Sequence, residues 1–62
     1  MNKIEAHTAM ALGSKVTHRF FSYDEYIHII DGKMFTEDGY RFEDAFDERD
    51  TIEWTDGWII FE

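Results

Sequence analysis

Sixty-two residues make one small domain that holds six Phe, three Tyr and two Trp but no proline and no cysteine. A chain this short buries only about 60% of the surface its unfolded form exposes, and without cysteine neither a disulfide framework nor a thiolate metal site can compensate. The net charge is −8 and lies entirely in residues 37–62, where ten acids face only Arg41 and Arg49, while the charges of residues 1–36 cancel. Two resources remain for stability: aromatic packing and self-association, so a homo-oligomer is expected.

Residues 2–12 read as a helix, because Ile4, Thr8, Ala11 and Leu12 recur on one face and Ala6, Ala9 and Met10 widen the stripe. Asn2 and Glu5 form a capping-box pair, and Gly13 suits the left-handed residue that ends a helix. From Lys15 to Phe21 the pattern alternates, which predicts a strand. Ser22–Glu25 is turn-like, and Tyr26–Ile30 is a second strand rich in aromatic and β-branched residues. Asp31-Gly32 then predicts a type I′ hairpin, with Lys33–Thr36 returning antiparallel.

Asp38-Gly39 marks another tight turn, leading into Tyr40–Phe42. Residues 43–50 are expected to be an acidic loop with one helical turn, anchored by Ala45 and Phe46. Asp50 and Glu53 form a second capping pair for a short helix over Thr51–Trp54, and Asp56-Gly57 turns the chain into a final strand, Trp58–Phe61. The fold class is therefore α+β: one N-terminal helix packed on a small twisted antiparallel sheet of about four strands. The expected core is Ile4, Ala11, Leu12, Val16, Phe20, Ile27, Ile29, Phe35, Phe42, Trp58 and Ile60.

No arrangement of residues announces catalysis. His7, His18 and His28 fall on three elements without zinc-ligand spacing, although His18 and His28 could be neighbours on adjacent strands. A calcium loop about Gly57 would put Ile52 and Trp54 where Asp is required. Asp47-Glu48-Arg49-Asp50 reads as uniformly solvated, which denies an acid/base pair the one desolvated carboxyl it needs. No Ser–His–Asp set or Gly-rich phosphate loop is present, so the chain is read as a non-enzyme with no metal and no cofactor. The longest apolar run, Trp58–Phe61, falls far short of the roughly 18 residues of a membrane span, and no signal-peptide pattern opens the chain.

Direct nucleic-acid binding is not expected, since a net charge of −8 repels a polyanion despite the small basic and aromatic cluster of Lys15, His18, Arg19, Phe20 and Phe21. A small anionic ligand beside Lys15 and Arg19 stays open. The acidic segment has two readings. It is a solubility device, or it imitates a phosphate backbone and occupies the basic groove of a nucleic-acid enzyme. In the second case Asp44, Asp47, Glu48, Asp50, Glu53 and Asp56 are the candidate partner contacts, and Tyr40, Phe42, Phe46 and Trp54 would supply the anchoring aromatics.

The order of Gly13-Ser14-Lys15-Val16-Thr17-His18-Arg19, the aromatic Phe20 and Phe21, Glu25-Tyr26-Ile27, an Asp-Gly turn and the terminal Asp56-Gly57-Trp58-Ile59-Ile60 has a further reading. With Ala9, these elements resemble small bacteriophage host-defence antagonists, among them the Thoeris anti-defence protein 2 family. The resemblance implies stoichiometric binding in the host-cell cytoplasm. It also implies a homo-oligomer that sequesters a cyclic ADP-ribose-type signal, with Arg19 and Phe20 as ligand contacts. The leading expectation is thus a phage-type, anti-CRISPR-like inhibitor that binds a host defence protein with a basic surface through an acidic, DNA-mimicking face. The alternative is a sponge for a cyclic nucleotide immune signal, held by Lys15, Arg19 and Phe20.

Overall fold

The computed structural model describes residues 1–62, beginning with a helix whose start is chemically explicit. The Asn2 side chain accepts from the Glu5 N–H at 2.8 Å while the Glu5 carboxylate accepts from the Asn2 N–H at 2.9 Å, the reciprocal capping box. Helix α1 then spans Lys3–Ala11, and Gly13 takes φ +100° where the chain turns away. Strand β1 is Val16–His18, β2 Ile27–Ile30 and β3 Lys33–Thr36; helices α2 (Glu43–Glu48) and α3 (Ile52–Thr55) follow, and β4 (Trp58–Ile60) closes the chain. The molecule is an α+β domain, and no helix is long and apolar enough to cross a membrane.

The four strands form one antiparallel sheet in the order β3-β2-β1-β4. The β2–β3 hairpin turns on Asp31 (φ 53°) and Gly32 (φ 76°), the double positive φ of a type I′ turn. Its register sets Ile27 opposite Thr36 and Ile29 opposite Met34. The last strand crosses to the far edge and pairs His18 with Trp58 and Val16 with Ile60. Side chains alternate across a strand, so Val16, His18, Ile27, Met34 and Trp58 share the face that the helices cover. All five are buried. His28 alternates to the opposite face, so His18 and His28 are not neighbours.

The core is Ala6, Met10, Val16, Ile27, Met34, Phe46 and Trp58, with Ile29, Phe42 and Trp54 partly buried against it. This corrects several expected core positions. Ile4, Leu12 and Phe20 are 78%, 83% and 57% exposed, Ala11 and Ile60 are also exposed, and Phe35 is only half-buried. The helix presents Ala6 and Met10 to the sheet instead of its bulkier face. A single methyl at Ala6 lets the helix backbone approach the strands closely, and the flexible Met10 fills the remaining space.

Three further expectations are revised. Strand β1 ends at His18, because the Phe21 N–H bonds the His18 carbonyl at 2.8 Å and the Phe20 N–H donates to His18 Nδ1 at 3.1 Å. Those bonds fold His18–Phe21 into a turn. The expected acidic loop contains a regular six-residue helix, α2, held by Phe46 beneath it and by Glu43 accepting from the Met34 N–H at 3.0 Å. Helix α3 starts at Thr51 without a side-chain cap, so Asp50 and Glu53 do not form a capping box.

Candidate functional site

Helix α2 places Asp44, Asp47 and Glu48 at i, i+3 and i+4, one shared face, while Phe46 points into the core. Asp50 follows in the link, Glu53 lies in the first turn of α3 and Asp56 succeeds that helix. All six candidate carboxylates are exposed. Only Asp56 has an ionic partner, the Met1 α-amino group at 3.6 Å. The remaining ion pair of the molecule removes Glu43 from this surface, for Arg41 donates to it from Nε at 2.8 Å and from Nη2 at 2.7 Å. The guanidinium holds the Glu43 carboxyl at about pKa 2, well below its ordinary range.

Arg49 is the only base between Glu43 and the last residue, and it does not neutralise its neighbours. Its guanidinium lies 5.0 Å from the Phe42 ring and 4.9 Å from the Trp54 ring, with Nη1 donating to the Ala45 carbonyl at 2.9 Å. Its Nε is buried without a hydrogen-bond partner. The expectation that residues 47–50 are uniformly solvated is therefore corrected at Arg49, which is half-buried. Stacking on two aromatic rings offsets part of its desolvation.

Arg49 lines the larger of two concavities, a cleft of about 450 Å³ walled by Phe20, Phe21, Phe42 and Trp54. Ile27 and Thr36 also line it, together with the acids Glu25, Glu37 and Asp38. The aromatic wall is cross-braced: Phe21 meets Phe42 edge-on at 6.2 Å, and Phe20 meets Trp54 edge-on at 5.6 Å. His18 supports this wall, its ring 4.3 Å from Trp54 and 4.7 Å from Trp58. Its Nδ1 accepts from Phe20 N–H, which assigns the proton to Nε2, the atom 2.7 Å from the Asp56 carbonyl. Burial lowers the His18 pKa below 6.5, aided by repulsion from Arg19 and Arg49 and opposed by the bond to Asp56.

The structure treats Lys15, Arg19 and Phe20 differently. Phe20 lines the cleft, and the Arg19 guanidinium carbon stands 5.3 Å from its ring. Lys15 does not line the cleft, although its ammonium lies 4.7 Å from the ring of Tyr26, which does. The residue that sequence reasoning missed is Arg49, whose only sequence signal is a lone base inside an acidic run; Phe42 and Trp54, expected as anchoring aromatics of the acidic segment, instead line the cleft beside it. No group of three His, Cys, Asp or Glu side chains is arranged to hold a metal ion. Comparison with family models, curated proteins and solved structures finds no match to this chain.

Proposed function

We propose that this protein is a non-catalytic inhibitor of the bacteriophage anti-defence type, acting in the host-cell cytoplasm. It binds a nucleic-acid-handling host defence protein through the carboxylates of α2, α3 and the segments beside them. One observation carries this reading: Arg49 is folded inward onto Phe42 and Trp54, so Asp44, Asp47, Glu48, Asp50 and Glu53 face solvent with no internal ion partner. A surface of one sign on a braced frame meets Lys and Arg side chains that otherwise hold phosphates. The combined variant Asp47→Asn, Glu48→Gln, Asp50→Asn tests it. Capture from a bacterial lysate retrieves basic nucleic-acid-handling proteins with the wild-type chain and loses them with the variant, while circular dichroism stays the same. Equal capture by both removes the reading.

The aromatic cleft favours a second reading, a sponge for a cyclic ADP-ribose-type or related cyclic nucleotide signal. Phe20 and Trp54 offer stacking faces, and Arg49 lines the cleft as its one cationic side chain. Arg49 replaces Lys15 in this version of the site. Calorimetry with cyclic nucleotides tests it: micromolar or tighter binding that Arg49→Ala abolishes supports the sponge, and absence of binding eliminates it.

A further inference from the structure

The turn that follows β1 is closed by a titratable ring. His18 Nδ1 accepts the Phe20 N–H at 3.1 Å, and its Nε2–H donates to the Asp56 carbonyl at 2.7 Å. The Phe21 N–H completes the turn on the His18 carbonyl at 2.8 Å. The ring also touches the side chains that this turn delivers to the cleft, with centroids 5.2 Å from Phe20 and 6.1 Å from Phe21. It has no second position to move to. Trp54 and Trp58 pack on it at 4.3 and 4.7 Å, and Gly57 approaches so closely that an added Cβ would lie 3.0 Å from Nε2. Two guanidiniums face the ring, Arg19 in the turn and Arg49 beyond α2, and both oppose a charge on it. From α3 and the residue after it come only the carbonyl oxygens of Glu53 and Asp56, since the Asp56 carboxylate turns to the Met1 amino group at 3.6 Å.

We infer that His18 is a proton-operated latch on the cleft wall: when Nδ1 takes up a proton, the turn releases and Phe20 and Phe21 leave the cleft. The neutral ring is an acceptor at Nδ1 and a donor at Nε2, whereas the charged ring is a donor at both. In the charged form the Nδ1–H therefore points at the Phe20 N–H, donor against donor. The Asp56 carbonyl relieves only Nε2, so two N–H groups lose their partner at one place. The conflict is relieved on the side that is free to move. Arg19 and Phe20 are exposed, while Trp58 on the other side of the ring is fully buried and paired within the sheet. Beyond Phe21 the segment is held by Glu25, whose Oε1 accepts from the Ser22 N–H at 2.6 Å. Neither His7 nor His28 bonds to this turn. The cleft is thus whole with the neutral ring and open with the charged one, whichever of the two readings above holds.

NMR titration of the ¹⁵N-labelled chain from pH 7.5 to 5 tests the latch. The His18 ring and the Phe20 N–H shift together with one midpoint, and contacts between the Phe20 and Trp54 rings vanish across it. One pH unit below that midpoint, hydrogen-exchange protection of the Phe20 and Phe21 N–H groups has fallen about tenfold, while that of Met10 in α1 and Ile29 in β2 is kept. Glu25→Gln preserves the acceptor for Ser22 without its titration, and the transition persists. His18→Asn supplies an oxygen near the place of Nδ1 that does not titrate, and the Phe20 N–H shift becomes constant over this range. Protection of Phe20 that survives the His18 midpoint overturns the latch, even where His18→Asn does not fold. So does loss of the transition in Glu25→Gln, or loss of protection at Met10 and Ile29 with the same midpoint, which marks unfolding of the whole domain.

Discussion

His18 is the residue whose chemistry depends most on its surroundings. It is 2% exposed, its Nδ1 receives the Phe20 N–H and its pKa is lowered chiefly by burial. Because the folded state holds the neutral ring, the unfolded chain binds the proton first. Stability is therefore full above the ordinary value of 6.5 and falls as pH drops through the lower folded pKa. NMR titration should place the His18 midpoint below 6.5, with urea midpoints declining on acidification through that range; a midpoint at or above 6.5 contradicts this. Gly57 depends on the same ring. It sits at φ +92°, and an added Cβ would lie 3.0 Å from His18 Nε2 and 3.1 Å from Arg19 Nε. Gly57→Ala should cost more than about 1 kcal/mol in denaturant unfolding, from backbone strain together with crowding.

Each short helix needs a different device to stay in place. Helix α1 relies on its capping box, so Asn2→Ala should lower unfolding free energy by about 1 kcal/mol. Helix α2 relies on Glu43, which links Arg41 to the backbone of β3 at Met34. The Glu43 pKa is depressed to about 2, so its contribution is present above the ordinary value of 4.5 and is lost between there and about pH 2. Glu43→Gln should flatten acid unfolding across that window as followed by circular dichroism. The capping pair of α1 could be read because both partners lie three residues apart. The tether of α2 could not, since it joins residues nine apart through a backbone N–H.

At the scale of the whole molecule, stability rests on very few buried groups. A domain of this length holds a total of roughly 3–9 kcal/mol. Trp58 is fully buried, donates from Nε1 to the Trp54 carbonyl at 2.8 Å and touches His18, Phe21 and Phe46. Removing so large a side chain costs about 3–5 kcal/mol, so Trp58→Ala should be largely unfolded at room temperature by near-ultraviolet circular dichroism.

The local pattern of residues determined the elements themselves: the capped first helix, the Asp31-Gly32 hairpin, the final strand after Asp56-Gly57 and the concentration of charge beyond residue 36. These depend on neighbours a few positions apart, whose preferences are carried by backbone sterics and capping chemistry. Tertiary packing alone decided which face of α1 turns inward, where His18 and Arg49 go, and which rings enclose the cleft. Those outcomes depend on the space left between distant segments, where the methyl of Ala6 allows a close approach that Ile4 or Leu12 would prevent.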